Sequence, residues 1–599
     1  DNALDNSPLH ETVGPHLQVP QYIENMTIDS TIILMFKEAW KASFHNEPVP
    51  FCQVELFFRD IVRLTLAPRH KSVKPLFVKH PSQERIFSSQ FYDFGAYLAK
   101  RDLFLSAYWI STLYAAVIGK KKRTGLGAFF TPPDLSALVV EEVFKHMDKD
   151  PLSCSFADIC CGGGALLAPV ARELIARMER AGLESKEIVS RLQSSLTGVE
   201  IDPFLLFLTR AFLVAELDAH IQASGVRPGF RLLQGDALMM DAGETPFDII
   251  VGNPPYKTLA SNEHKRLKTA YGHVMEGNSN LYPAFLEKSF QMVKEDGLVS
   301  VIIPTSLYSS KNFGQLRRRI TESGHVASIV WLADRKGVFH EVLQEVSILT
   351  VNHPGQNTGG ATVIRSLEKG FESNFSTNVP ARRGRSPWPI PKDRDQLEVL
   401  SLAQRSPFRL ADYGFTVRIG PLVYNRDHRR RYLRLPKNGL ERGVFPIVFP
   451  FQITNGGNFD FNEKRDTKRK RFVHVGKDTN IATRHPSVVM KRTSPAGQRR
   501  LLKCGTVPNW VLEEFGGYVG ENHVVVFEQD GQHDPVSPET LATIFNSDPV
   551  NLTYRCFAGT VSVSCYNLLN LPLPDPGVVS RLLQEGLSSR QAVLKGYGA

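Results

Sequence analysis

Cysteine is scarce in this chain: seven of 599 residues, two of them the adjacent pair Cys160–Cys161. Without paired C-x-x-C spacing, neither a zinc site nor a disulfide framework is indicated, and a reducing cytoplasm is the expected compartment. Long apolar runs are missing too. The most apolar stretch, 104–118, is too short to cross a bilayer and carries Ser and Thr, so no membrane span is expected. The N-terminus lacks the basic-then-apolar layout of a secretion signal. Residues 1–120 contain no Pro-Asp followed by Glu-x-Lys, which speaks against a fused metal-dependent nuclease. The glycine loop at 162–164 runs into Ala165-Leu166-Leu167 and so misses the G-x-G-x-x-G spacing of a dinucleotide-binding turn.

What is present fits a soluble globular protein, with 42% hydrophobic and 22% charged residues over a length that suggests three or four domains. Residues 1–120 read as a helical region with aromatic-rich amphipathic patches such as Phe91 to Ile118. From 121 to 352 strand and helix patterns alternate, with strands expected at 155–159, 196–200, 230–233, 247–251, 297–303, 327–331 and 345–351. Such alternation predicts an α/β fold with a doubly wound, largely parallel sheet. Residues 353–392, rich in Gly, Ser, Pro and Asn, read as a linker or crossing loop. Residues 393–599 form a further region of short β-like runs, with a helical tail after Pro576. The net charge is +10, and it is concentrated: residues 426–503 hold 20 Lys and Arg against 6 Asp and Glu. That suits a polyanion, since phosphate contacts release counterions, although a solvated charged surface has the same composition.

Four strand ends in the alternating region carry matching chemistry, where ligands of doubly wound sheets sit. Asp158 ends the first strand ahead of Cys160, Cys161 and Gly162–Gly164, where it suits a ligand amine and the glycines admit close approach. Glu200 ends the second strand and suits two ribose hydroxyls, with Ile201 beside it for a flat ring; NAD or another adenosine ligand satisfies this pair equally. Asp236, followed by Ala237, suits an exocyclic amine. The fourth end reads Asp248-Ile249-Ile250-Val251-Gly252-Asn253-Pro254-Pro255-Tyr256. The Asn253 side-chain oxygen and the Pro254 carbonyl form two acceptors for a planar amino group. Pro255 stiffens the turn, and Tyr256 offers a stacking face.

Asp158 to Gly164, Glu200, Asp236 and Asn253–Tyr256 together resemble the motifs of S-adenosylmethionine-dependent amino-methyltransferases that act on DNA. Gly127-Ala128-Phe129-Phe130-Thr131-Pro132-Pro133 resembles the family's additional cofactor motif, and its place before the glycine loop follows the order of the gamma class. Asn280-Leu281-Tyr282 and Gly297 to Pro304 resemble a helix and the fifth strand of the same fold. Arg418 to Pro421, Lys491-Arg492-Thr493, Glu521-Asn522-His523 and Val561 to Ser564 resemble recognition domains of larger members. Ile159 and Cys160 depart from the family, which more often has Pro and Ala there.

The resemblance implies a Rossmann-like class I methyltransferase sheet, with an N-terminal helical region and a C-terminal mixed α/β target-recognition domain. It implies S-adenosylmethionine bound by Phe130, Thr131, Pro132, Asp158, Cys160, Gly162, Gly164, Glu200, Ile201, Asp236, Ala237 and Asn253. Asn253, Pro254, Pro255 and Tyr256 would act on a flipped-out adenine, with Phe339 stacking on its opposite face. Double-stranded DNA would be held by Arg429, Arg430, Arg431, Lys468, Arg469, Lys470, Arg471, Lys491, Arg492, Arg499 and Arg500. The expectation is a sequence-specific adenine-N6 DNA methyltransferase in a prokaryotic cytoplasm near the nucleoid, alone or with a cognate restriction endonuclease or other defence proteins. Cytosine-N4 methylation and a catalytically silent specificity subunit are the alternatives. Asn rather than Ser at position 253 favours adenine, and the intact Asn253, Asp158 and Glu200 speak against a silent subunit.

Overall fold

A computed structural model describes residues 12–13, 30–44, 49–77, 88–118, 130–241, 246–277, 280–332, 345–353, 360–367, 373–380, 384–440, 443–454, 456–461, 469–476, 479–494, 500–531, 536–557 and 562–599. The chain divides into two compact units, Asp1–Thr305 with Gln315–Arg385, and Ser306–Gly314 with Ser386–Ala599.

The first unit is built on a nine-stranded sheet. Its strands are β1 (Phe156–Asp158), β2 (Leu196–Glu200), β3 (Arg231–Gln234), β4 (Phe247–Gly252), β5 (Val293–Pro304), β6 (His325–Leu332), β7 (Val346–Asn352), β8 (Thr362–Leu367) and β9 (Ser373–Val379). They lie in the order β9-β8-β6-β7-β5-β4-β1-β2-β3. Strands β3, β2, β1, β4 and β5 are parallel neighbours, while β7 runs antiparallel between β5 and β6. The order reverses beside β1, which leaves a crevice beyond the carboxyl ends of β1 and β4. Strand β4 is buried along its whole length, as expected for a parallel strand covered on both faces.

Each of the seven strands expected from the sequence coincides with a strand of this sheet. The stretch 353–392 differs. It was expected to be a linker or crossing loop, yet it supplies β8, parallel to β6, and β9, antiparallel to β8. Strand β9 reads SNFSTNV, a polar edge whose pairing depends on the neighbouring strand rather than on an apolar pattern.

The N-terminal helices Ser30–Phe44, Phe51–Leu66, Ser89–Ala99 and Leu103–Val117 belong to this unit. Their buried residues, among them Phe36, Phe57, Phe94 and Tyr114, share one apolar core with Phe156, Leu208 and Phe212. The described part of the region expected at 1–120 is mostly helical, with one short strand pair between Thr12–Val13 and Val49–Pro50, and its packing does not stop at that boundary. Helix Leu103–Val117 is capped by Asp102, whose side chain accepts from the amides of Phe104 and Leu105. It is apolar nearly all round because it is buried on most sides. Among the described residues no helix is long and apolar enough to cross a membrane.

The second unit holds two four-stranded sheets. One is antiparallel, ordered Phe415–Ile419, Val524–Gln529, Ser487–Lys491, Cys504–Thr506. The other is ordered Arg431–Tyr432, Phe472–His474, Val444–Val448, Val519–Gly520. Helices Pro538–Asn546, Asp548–Phe557, Pro576–Gln584 and Ser589–Gly596 pack over a core containing Phe527, Phe545 and Tyr554. The tail after Pro576 is helical, as its pattern indicates.

Candidate active site

The carboxyl ends of β1, β2, β3 and β4 open into one cavity of about 230 Å3. Phe130, Thr131, Asp158, Cys160, Gly162, Glu200, Ile201, Asp236, Ala237, Asn253 and Pro255 all line it. Eleven residues picked from five separated motifs therefore meet at the sheet's switch point. Pro132, Gly164, Pro254 and Tyr256 are not among the lining residues. Gly164 instead lines a small neighbouring crevice with Ser111 and Phe130. Phe339 lies outside the described residues.

Local backbone geometry explains the glycine loop. Gly162 and Gly164 have φ of +52° and +83°, a region costly for other residues. A Cβ on Gly163 would collide with the Ser111 hydroxyl and the Leu208 side chain. Asp158, almost fully buried, accepts from the Cys160 amide at 3.0 Å. Glu200, 9% exposed, accepts from the Gly162 amide at 2.9 Å and the Asp202 amide at 2.8 Å. Burial pushes the Asp158 carboxyl up to about 7, with a further push from Glu200. Burial also pushes Glu200 up to about 7, against the pull of its amide donors. The cavity thus presents two acids poised to gain full charge beside a cationic group. Ile201 is 53% exposed at the same site, a bare apolar face next to Glu200.

Asp236 caps the short helix Ala237–Met239 through the Leu238 amide, and its second oxygen lies 3.3 Å from an Arg266 nitrogen. Lys257, Glu263, Arg266 and Leu267 form another part of the wall, with Lys257 and Glu263 paired at 2.6 Å. Sequence reasoning missed these four. Helix Ser261–Tyr271 reads as an ordinary charged helix, and only its place after the tetrapeptide hinted at the cavity.

Asn253 follows β4 directly. Its amide nitrogen donates to Thr131 Oγ1 at 3.0 Å, and its Oδ1 accepts from the Tyr256 hydroxyl at 2.7 Å. That hydroxyl also lies 2.9 Å from the Ile302 carbonyl. Tyr256 is partly buried and stands edge-on to Tyr282, with ring centroids 6.3 Å apart. Burial pushes its phenol well up, so it remains a donor. The expectation of an open acceptor beside an open ring face is therefore modified: the phenol engages the Asn253 oxygen, because a buried hydroxyl seeks the nearest acceptor.

In the second unit the predicted basic residues divide in two. Arg429 is paired with Asp427 at 2.6 Å, Arg492 donates to the Asn522 carbonyl at 3.0 Å, and Arg500 meets Asp548 at 3.4 Å. Arg431 donates to the Tyr424 carbonyl and lies over that ring, and Arg471 is only 9% exposed. Lys491 is partly buried, which lowers its ammonium pKa, as does nearby Lys503. Arg430, Arg469 and Lys470 are exposed. Arg469 sits within 6 Å of the Tyr424, Phe449 and Phe451 rings, at 5.7, 5.2 and 5.6 Å. Lys468 and Arg499 lie outside the described residues.

Residues 195–339, which include the Asn253–Tyr256 turn, match the Eco57I restriction-modification methylase family. That segment is similar to a restriction-modification methylase domain. It is similar to the Type II methyltransferase M.BsuBI of Bacillus subtilis, 22% identical over 77% of this chain and 90% of that protein. It is also similar to the modification methylase CviBIII of Paramecium bursaria Chlorella virus NC1A, 27% identical over 35% of this chain and 46% of that protein. The second match therefore spans under half of its relative. Among solved structures, the Type IIL restriction-modification enzyme MmeI in complex with DNA shares the fold over 95% of this chain and 89% of its own, with a TM-score of 0.53 and 12% identity.

S-adenosylmethionine is the cofactor of this methylase domain. The cavity's donor set fits it: acids at the ends of β1, β2 and β3 for amine and hydroxyl groups, the bare Ile201 face for a flat ring, and a glycine loop without side chains in the way.

Proposed function

We propose that the chain is a sequence-specific DNA methyltransferase acting on the N6 amino group of an adenine turned out of the duplex. The observation that carries this reading is that Asn253 lines the same cavity as Asp158, Glu200 and Asp236. An amine-gripping turn and three ligand-binding acids thus serve one space.

When bound, S-adenosylmethionine supplies a methyl group already activated by its sulfonium, so no covalent intermediate on the protein is needed. Asp158 would hold the cofactor's amine, Glu200 its ribose hydroxyls and Asp236 its adenine amine, while Ile201 would lie against the ring. An aromatic amine is a poor nucleophile because its lone pair is delocalised. Asn253 Oδ1 and the Pro254 carbonyl would accept hydrogen bonds from its two N–H groups and so localise the lone pair, and one of those protons would leave along its hydrogen bond to solvent once the nitrogen is alkylated; catalysis is positioning and electrostatics. Target entry requires Asn253 to exchange its bond from Tyr256 for one from the incoming amine. Extruding a base costs a few kcal/mol, and stacking on an aromatic ring offsets roughly 1–3 kcal/mol of it. Tyr256 provides one such ring and Phe339 the other. The basic residues of the second unit contact phosphates, with Arg430, Arg469 and Lys470 foremost because they are exposed.

The test is incubation with radiolabelled cofactor and varied duplex DNA, followed by digestion to nucleosides. N6-methyldeoxyadenosine is expected. N4-methyldeoxycytidine would move the reading to the cytosine alternative, and no label in any DNA would favour a silent specificity subunit. A restriction endonuclease encoded alongside, cutting the same site when it is unmethylated, is the expected partner.

A further inference from the structure

Among the buried contacts between the N-terminal helices and the cofactor site, one joins Tyr114 to Asp202. Tyr114, on helix Leu103–Val117, is fully buried, and its hydroxyl lies 3.1 and 3.3 Å from the two carboxylate oxygens of Asp202. Asp202 is itself 2% exposed and stands two residues after Glu200. It does two things for the cavity. Its amide donates to Glu200 Oε1 at 2.8 Å, fixing one carboxylate oxygen while the Gly162 amide fixes the other. Its side chain accepts from the Phe204 and Leu205 amides and so caps helix Pro203–Glu216. That helix reaches back to the glycine loop: Thr209 Oγ1 donates to the Gly162 carbonyl at 2.7 Å, and Leu208 packs where a Cβ on Gly163 would fall.

We infer that Tyr114 is a positioning residue for the cofactor, its hydroxyl fixing Asp202 and, through it, Glu200 and the glycine loop. The inference rests on Glu200 being a cofactor ligand. A buried carboxylate is held by the donors on its lone pairs, and the phenol is one of those that hold Asp202 beside the Phe204 and Leu205 amides, so its loss loosens that hold. Moving Asp202 would shift the amide that aims Glu200. The phenol is held in place: its ring lies 4.4 Å from Phe204 and 5.5 Å from Phe58, centroid to centroid. Burial, together with the Asp202 charge, keeps the hydroxyl protonated. Ser111, one turn before Tyr114 on the same helix, meets Gly163 directly. The helical region before the methylase domain is, on this account, a back wall of the cofactor site.

Tyr114→Phe removes one oxygen and keeps the ring. In the full chain it should raise KM and the dissociation constant for S-adenosylmethionine by about fivefold to tenfold, in line with loss of a hydrogen bond to a charged group felt at one remove. kcat at saturating cofactor and affinity for duplex DNA without cofactor should stay within twofold. Asp202→Asn, which keeps an acceptor oxygen for the Phe204 and Leu205 amides and leaves the ring in place, should raise KM likewise and covers the case in which Tyr114→Phe folds poorly. Glu200→Ala separates the two levels of the claim. If it binds cofactor as tightly as the parent, the reading of Glu200 fails. If it loses cofactor while Tyr114→Phe and Asp202→Asn bind normally, the role of Tyr114 is overturned.

Discussion

The cavity of the methylase domain and the basic block of the second unit use charge in opposite ways. In the cavity a few ionisable groups are buried or half-buried, each held by a backbone amide: Asp158 by Cys160, Glu200 by Gly162 and Asp202, and the half-buried Asp236 by Leu238. In the basic block many cations are present, and several are already used inside the protein: Arg429 on Asp427, Arg492 on Asn522, Arg500 on Asp548, Arg471 within the fold. Position at strand ends therefore says more about function than density of charge. A guanidinium that braces a loop adds to the composition as much as one that meets a phosphate.

The largest expected effect is at the tetrapeptide. Asn253→Ala should lower the methylation rate by about 10²–10³-fold, comparable to removing one group that stabilises developing charge, with cofactor affinity changed far less. Label incorporation at saturating cofactor measures it, and a loss below threefold would remove the tetrapeptide from the chemistry. Next, replacing Arg430, Arg469 and Lys470 together by Ala should weaken duplex binding by about tenfold or more and flatten the salt dependence of log Kd by about three. Anisotropy titrations at several salt concentrations report both, and an unchanged slope would mean that these exposed cations do not meet phosphates.

A third test concerns pH. Asp158 and Glu200, pushed up to about 7 by burial, are protonated below that value and cannot then match a cationic ligand. Cofactor affinity should weaken by about tenfold for each proton taken up per unit of falling pH through 7. In the ligand-free protein the sign is reversed. Because their folded pKa values are raised, these groups contribute stability that is full on the acid side and lost as pH rises through about 7. The rise in melting temperature on adding S-adenosylmethionine should thus be larger at pH 8 than at pH 6, and an equal rise at both would deny these carboxyls a role in binding. The smallest effect is expected at Arg429→Ala: a stability loss within about 1 kcal/mol, as for a part-exposed pair, and duplex affinity within twofold. A large loss of duplex affinity there would place Arg429 on the DNA after all.

Much of the catalytic region was legible in the sequence because its signals are local. Apolar runs such as Ile249–Val251 mark buried parallel strands, and the residue ending each run stands at the crevice whatever the rest of the chain does. The stretch 362–379 was not legible, since a polar edge such as β9 is a strand only because β8 is beside it. Nor was the wall from helix Ser261–Tyr271, whose Arg266 meets an aspartate 30 residues away.

The residues themselves determined the order of the motifs, the four strand ends and their chemistry, because φ restrictions at Gly and Pro and the run of apolar side chains act over a few positions. Tertiary structure alone decided which polar atoms are already engaged. Tyr114 finds Asp202 across 88 residues, Tyr256 turns its hydroxyl onto Asn253, and six of the nine described basic candidates are buried or half-buried. The physical reason is that a buried donor or acceptor takes the partner the packing brings within hydrogen-bond distance, and no periodicity along the chain records that choice.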